Sequence, residues 1–499
     1  MKYIQTLFIS KNQNLFKDSF GWVSPLYHLL SWGLSALTLK KVLGNLTLYT
    51  NSYGKEILVD LLKLPYDNVV LSFDGWELPH KELWALSKIY TYSLQTTPFI
   101  HIDGDIYLFK PFPNEFKEAS LIAQNIEQFT DYYYSVMKPI NRKFTYMPEY
   151  VKNDFLKQES LHAVNAGILG GNDLSFFKDY TQEATRYVES NLDSLHTLDA
   201  NRFNVFFEQH LFFNMARTHK LEIKYLLSQE YHDNAYLGLD KFYEIPSGKS
   251  WYFHLLGNYK RDIFTCQQMA NTLHALYPDV YERIITEYNR FNATSYDFDK
   301  MKCSCQNIIL HTFSEILNSS CLTDDKRESL VKYIDSIEKI LPSLCKWSVQ
   351  DINKRDEACF YWYHRIFESE IGYETVLIKK SPMVEVIFSN FDWARLYKGL
   401  YSSGIKYYSE FSIEIMRESE KYAAVLIPEL IEKVSLSDID EIEYALLQEL
   451  DSPISISTLE KRMVKFLDED VDDSVRDKFR LLLKNSIMRL MLLKVIEPI

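Results

Sequence analysis

Seven segments in the first 105 residues alternate strictly between two kinds of pattern, and that alternation leaves few architectures open. "YIQTLFIS" reads as a strand, "SPLYHLLSWGLSALTLKKVL" as a helix, "NLTLYTN" as a strand and "GKEILVDLLKL" as a helix. "NVVLSF", "KELWALSKIYTYSLQ" and "PFIHID" continue as strand, helix and strand. Strands that take turns with helices favour a mainly parallel sheet with helices packed on it. In such sheets ligands gather beyond the carboxyl ends of the strands.

Glycine marks where this pattern stops. Of 15 glycines, 12 lie at or before Gly257, and only Gly372, Gly399 and Gly404 follow. Glycine serves where the backbone turns tightly or approaches another group closely. Residues 1–265 are therefore expected to form a Rossmann-like α/β domain, and the remainder a mostly helical region. Residues 266–380 read as helical, and "MVEVIF" (383–388) as a lone strand opening an α+β region, 381–499. In the last part "DEIEYALLQEL", "STLEKRMVKFL" and "VRDKFRLLLKNSIMRLMLLKVIEPI" read as three helices running into a terminal strand. Ser457 and Glu460 have the spacing of a capping box. Three helices of this size predict a winged-helix-like module at about 437–499.

Composition excludes some functions. A net charge of −13 argues against a nucleic-acid binder, which needs clustered Lys and Arg against phosphates. The first residues, "MKYIQTLFISKNQN", resemble a strand more than a signal peptide, and no apolar run is long enough to span a membrane. Cys266, Cys303, Cys305, Cys321, Cys345 and Cys359 lack CxxC zinc spacing, so reduced thiols in a cytoplasmic protein are expected.

The chemistry concentrates in "FIHIDGDIYLFKP", residues 99–111. An apolar strand ends in Asp103 and Asp105 around a glycine. Burying carboxylates costs several kcal/mol, roughly, unless a cation or hydrogen bonds compensate. In an extended segment the two acids point the same way, and their hard oxygens suit Mg²⁺ or Mn²⁺. A plain acidic turn is the other reading. Further Asp-x-Asp pairs at 297/299, 438/440, 468/470 and 470/472 lack the preceding strand and read as solvated or capping acids. Downstream, "WYFHLLGNYKRD" carries His254, Gly257 and Lys260. Gly257 disfavours a helix by about 1 kcal/mol. A loop would let His254 offer an imidazole to a metal, Gly257 admit a phosphate and Lys260 neutralise it.

Together these motifs resemble the GT-A glycosyltransferases, closest to the retaining glycogenin-like and lipopolysaccharide-galactosyltransferase-like group. The resemblance covers roughly residues 1–265. It implies that Asp103, Asp105 and His254 hold Mn²⁺ (or Mg²⁺) and that Gly257 and Lys260 contact the diphosphate of a UDP-sugar. It implies a nucleotide-sugar contact for Lys88, in the helix before the metal strand. "AVNAGILGGND" resembles the family's Asn-Ala-Gly segment, implying sugar contacts for Asn165 and close backbone approach at Gly167. "FEQHLFFN" resembles its Asp-Gln stretch, implying that Gln209 sits near the anomeric carbon and Glu208 takes the place of the usual acceptor-side Asp. Ser10, Asn12, Thr50 and Asn51 are candidates for uridine contacts by strand-end position alone. "RD" stands where the family often has a tryptophan after the lysine.

The expected activity is metal-dependent transfer of a sugar from a UDP-sugar to an acceptor hydroxyl or thiol, with retention implied by the resemblance. "ALLQELDSPISISTLEKRMVKF" resembles the winged modules with which bacterial peptide-modifying enzymes hold a leader peptide, which implies a peptide acceptor. A structural or dimerising helical module, and with it a homodimer, is the plainer reading of that segment. A nucleotide-sugar-binding scaffold or sensor without turnover, and a nucleotidyltransferase, are the alternatives for the first domain. The latter lacks the glycine-rich phosphate loop it would need near the N-terminus.

Overall fold

A computed structural model describes residues 1–129, 131–157, 161–232, 236, 238–245, 248, 250–261, 263–292, 309, 310, 312–314, 316–318, 322–367, 372–397, 416–419, 421–429, 434–465 and 472–499. They fall into two compact units. The first comprises Met1–Asp18, Ser31–Leu239 and Tyr252–His254; the second comprises Ser19–Leu30, Asp240–Trp251 and Leu255–Ile499.

The first unit is built on the alternating segments. Strands β1 (Lys2–Leu7), β2 (Thr47–Thr50), β3 (Asn68–Leu71) and β4 (Phe99–Ile102) lie in the order β4-β1-β2-β3, all parallel. A short strand β5 (Ile106–Leu108) follows β4. Next come β6 (Leu121–Ala123), β7 (Ile126–Phe129), β8 (Leu161–Val164), β9 (Ile168–Gly171) and β10 (Ile223–Tyr225). The full seven-stranded sheet runs β10-β6-β9-β4-β1-β2-β3. Only β9 is antiparallel to its neighbours, β4 and β6. This reversal positions the site. Because β9 runs against β4, its start lies beside the end of β4, with Ile168 opposite Ile102. A three-stranded sheet, β11 (Tyr231–His232)-β7-β8, and a two-stranded pair, β12 (Tyr252–His254)-β5, complete the unit.

Much of the aromatic content goes into the core of this unit. Tyr92, Phe99, Phe177, Tyr180, Phe203 and Phe212 are buried and meet largely edge to face, as in Phe99–Phe177 at 4.7 Å between ring centres. The helices differ from the expected spans in detail. "KELWALSKIYTYSLQ" is helical only over Leu86–Ser93, and "GKEILVDLLKL" ends in a wide π-type turn, Glu56–Leu61.

The second unit carries the helices Ile263–Leu276, Pro278–Asn292, Asp324–Leu344 and Val349–Phe367. Pro278 separates the first two and serves the second as its first residue, where a missing N–H costs nothing. The segment "MVEVIF" is not a lone strand. Besides β13 (Leu377–Lys380), β14 (Glu385–Ser389) pairs antiparallel with β15 (Tyr422–Pro428), and β15 with β16 (Val434–Ile439). The apolar run "YAAVLIP" supplies the partner.

The last three helices are Glu441–Gln448, Ile456–Val464 and Asp473–Leu492. The expected capping box at Ser457 is displaced: Ser455 caps its helix by accepting from Thr458 N, and the box forms instead between Asp440 and Glu443. Asp472 likewise caps the final helix. β17 (Ile454–Ser455) and β18 (Ile496–Pro498) flank β13. Among the described residues Cys266, Cys345 and Cys359 form no disulfide; Cys303, Cys305 and Cys321, with Asp297, Asp299, Asp468 and Asp470, lie outside the described residues. Among the described residues no helix is long and apolar enough to cross a membrane.

Candidate metal centre

The turn Asp103–Asp105 is held by its backbone. Asp103 N donates to Gly167 O at 2.9 Å and Ile106 N to Asp103 O at 3.2 Å. Gln5 Nε2 donates to Asp103 O at 3.3 Å. From the helix Pro25–Leu43, Ser31 Oγ donates to Gly104 O at 2.9 Å and Ser35 Oγ to Ile106 O at 2.8 Å. The intervening glycine is a packing requirement: a Cβ on Gly104 would lie 2.7 Å from the Trp32 ring. With the backbone satisfied, the two carboxylates are left for other partners.

His254 reaches them through strand pairing. β12 runs antiparallel to β5 with His254 opposite Ile106, the residue after Asp105. The result is one cluster in which ligand atoms of Asp103, Asp105 and His254 all lie within 4.8 Å of one another. His254 Nε2 is 3.5 Å from Asp105 Oδ1. Asp105 and His254 are buried, whereas the Asp103 side chain keeps 25% of its surface exposed, so the cluster opens at Asp103. Mg²⁺ holds oxygen ligands at about 2.0–2.1 Å, which puts opposed ligands roughly 4.2 Å apart. Adjacent ligands of the same ion lie roughly 3 Å apart, so the three side chains would close in around a bound ion.

Lys88 and Glu208 complete the charge pattern. The Lys88 ammonium lies 2.9 Å from Asp103 Oδ1 and 2.8 Å from Glu208 Oε1, and donates to Ala166 O at 3.2 Å. Burial works against its charge, but Asp103 and Glu208 outweigh that and hold its pKa above the usual lysine range. Burial raises Glu208 to about 6 despite Lys88. Asp103 is also raised, by burial and by Asp105, against the pull of Lys88. His101, on β4 two residues before Asp103, has its Nδ1 3.6 Å from Asp103 Oδ1. Burial first, then Lys88, keeps that imidazole neutral well below its ordinary pKa. Lys88 thus pairs with Asp103 and Glu208 while Asp105 lies against His254, and a divalent ion is what the O,O,N donor set of Asp103, Asp105 and His254 fits.

The remaining sequence candidates take varied places. Lys88 is spent on Asp103 and Glu208. Glu208 is fully buried against Lys88 and Tyr92. Gln209, beside it on a wide turn (Phe206–His210), is partly exposed. The amide of Asn165 turns inward, donating to Glu127 and Tyr236 and accepting from Gly167 N at 2.9 Å. Gly167 does admit a close approach, but by His254: a Cβ there would lie 2.4 Å from His254 Cε1.

Ser10 follows β1, with its N–H donated to Gln13 Oε1, and Asn12 is exposed in the turn beyond. Thr50 is buried; Asn51 caps the short helix Ser52–Lys55 and donates to Ile9 O. Gly257, at φ 54°, and Lys260, whose Nζ lies 6.0 Å from the centre of the Trp22 ring, belong to the second unit. Sequence reading missed Gln124, which bonds His254, and the buried Glu127. A polar pair directly after the apolar "LIA" of β6 was the available signal.

No curated protein matches this sequence. The model of a family described as a family of unknown function (DUF6734) matches residues 1–287, a span that contains Asp103, Asp105 and His254. That span is more than half of the 499 residues, and the chain therefore belongs to the DUF6734 family.

Proposed function

We propose that the chain is a metal-dependent glycosyltransferase that takes a UDP-sugar as donor, with its first unit a GT-A domain. The observation that supports this most is the convergence of Asp103, Asp105 and His254, distant in sequence, on one point at the carboxyl end of a parallel strand. Asp103, Asp105 and His254 would hold Mn²⁺ or Mg²⁺, which when bound supplies positive charge to a departing diphosphate. Lys88 holds Asp103 in place from behind. Gly257 and Lys260, following His254 in the chain, are assigned to the diphosphate, and Ser10, Asn12, Thr50 and Asn51 to the uridine end. Gln209 is assigned to the sugar. Asn165 acts on it indirectly, by shaping the turn that ends in Gly167. Retention of the anomeric configuration belongs to the same proposal.

The last three helices, with β17 and β18 flanking β13, are assigned as a winged-helix-like module that holds a peptide acceptor. Its Ser, Thr or Cys side chain would receive the sugar.

Purified protein incubated with Mn²⁺ and a panel of nucleotide sugars is expected to hydrolyse a UDP-sugar. Asp103→Asn is expected to lower that turnover at least about 100-fold, as loss of a charged ligand to the ion implies. Turnover unaltered by Asp103→Asn excludes the metal role. UDP binding without any sugar release favours a non-catalytic nucleotide-sugar binder instead.

A further inference from the structure

A neutral imidazole carries its proton on either ring nitrogen, and only the bare one ligates a metal. We infer that Gln124 makes this choice for His254: it holds the proton on Nδ1 and leaves Nε2 as a lone pair directed at Asp105. Gln124 is then a positioning residue of the metal centre. The inference rests on the proposed metal reading for the purpose of that lone pair, while the proton's position follows from the hydrogen bonds.

His254 Nδ1 lies 2.7 Å from Gln124 Oε1, and the Tyr252 hydroxyl donates to the same oxygen at 2.5 Å. An amide oxygen only accepts, so Nδ1 carries the hydrogen. The two ends of an amide are told apart by their partners, and here the partners lead to a group of fixed polarity. Gln124 Nε2 donates to Asn125 Oδ1 at 3.0 Å. Asn125 is oriented in turn because its Nδ2 donates to the backbone carbonyl of Ile126 at 2.9 Å, which can only accept. Reversing Gln124 would set its oxygen against that of Asn125 in a buried site.

The network continues past Asn125. Asn125 Nδ2 donates to the Tyr236 hydroxyl at 3.0 Å, and that hydroxyl donates to the Glu127 carboxylate. Asn165 Nδ2 donates to both, at 3.1 and 2.8 Å, and Asn165 is itself oriented by the N–H of Gly167. Backbone groups thus anchor the network at both ends. Gly167 makes room for the contact, since a Cβ there would lie 2.6 Å from Gln124 Oε1. The outcome is a bare Nε2 facing a carboxylate oxygen at 3.5 Å, two acceptors that a cation between them reconciles.

Nitrogen-15 NMR of the metal-free full chain, above the usual imidazole titration range, reads the protonation of each ring nitrogen. The His254 signal among the 12 histidines is assigned by its loss in His254→Asn. Wild type is expected to show Nδ1 protonated and Nε2 bare. Gln124→Leu, which has no acceptor, is expected to mix the two tautomers and to weaken Mn²⁺ binding about 10–100-fold in an EPR titration. Gln124→Glu keeps an acceptor oxygen for Nδ1, though its second oxygen meets Asn125 Oδ1, and is expected to restore the tautomer and most of the Mn²⁺ affinity.

A protonated Nε2 in the wild type overturns the inference, as does Gln124→Leu with unchanged tautomer and Mn²⁺ affinity. If Gln124→Leu does not fold, the wild-type spectrum and Gln124→Glu decide between the same outcomes. A wild type with the expected tautomer that binds no Mn²⁺ supports the role of Gln124 and removes the metal reading alone.

Discussion

Each of the two units buries a cluster of charges, and the clusters differ in one respect. In the second unit Arg355, Asp356, Glu429 and Lys494 are all buried. Arg355 pairs with Asp356 at 2.7 Å and donates to Pro428 O at 2.8 Å. Lys494 pairs with Glu429 and lies 3.6 Å from Asp356. Two cations meet two carboxylates, and the cluster is balanced. In the first unit, among the described residues, Lys88 pairs with two carboxylates, Asp103 and Glu208, so that one cation serves two acids. Burial by itself does not mark a functional site, since both clusters are buried; an unbalanced remainder does.

The comparison is tested most severely where balance is broken. Lys494→Met is expected to cost about 3–5 kcal/mol, because Glu429 and Asp356 lose their shared cation. Denaturant unfolding measures it. A loss below about 1 kcal/mol would mean that the second cluster is screened by solvent and that the contrast is false. Gly167→Ala comes next, at about 1–3 kcal/mol, through crowding rather than charge, since the new methyl meets His254 and Gln124. It is expected to abolish Mn²⁺ binding in the same EPR titration. Normal binding would show that His254 can move and still ligate.

The fold was more legible than the site, for reasons of segment length and polarity. β1 to β4 are apolar runs bounded by turns, and their alternation with helices showed in the sequence. β5 and β12 are three residues each, too short for a period, so the pairing that delivers His254 to Asp105 left no pattern. β9 contains Gly170 and Gly171 and reads as a turn. Asp103, Asp105 and His254 were found because charged and imidazole groups stand out against apolar strands. Gln124 was not, because an amide at a strand end has no distinctive chemistry until its neighbours are known. Ser457 and Glu460 match the capping-box spacing, but a four-residue template cannot tell which turn starts the helix, and Ser455 is the cap.

In the first cluster the pH dependence of stability follows Glu208. Glu208 is raised from 4.5 to about 6, so the folded chain holds a proton there that the unfolded chain has released. Its contribution to stability is fully present below pH 4.5 and is lost as pH rises through about 6. The loss is up to about 2 kcal/mol over that window. Glu208→Gln removes the titration, and the stability difference between wild type and Glu208→Gln should move against wild type over the same range. A flat difference would place the Glu208 carboxyl in a more solvated setting than its contacts with Lys88 and Tyr92 describe.

The smallest expected effect carries the opposite sign. Asp105→Asn removes one carboxylate from the unbalanced cluster and, in metal-free protein, gives His254 Nε2 an amide N–H in place of an oxygen. An acceptor facing an acceptor at 3.5 Å becomes a donor facing an acceptor. With a chelator present, the variant is expected to gain about 0.5–1.5 kcal/mol, the net worth of one hydrogen bond. It is expected to lose Mn²⁺ affinity at the same time. Stability gained as binding is lost is the signature of a group kept for a ligand at some cost to the fold. If Asp105→Asn instead destabilises the metal-free chain by as much as Lys494→Met, Asp105 is a structural acid with a cation of its own, and the imbalance that distinguishes the first cluster from the second disappears.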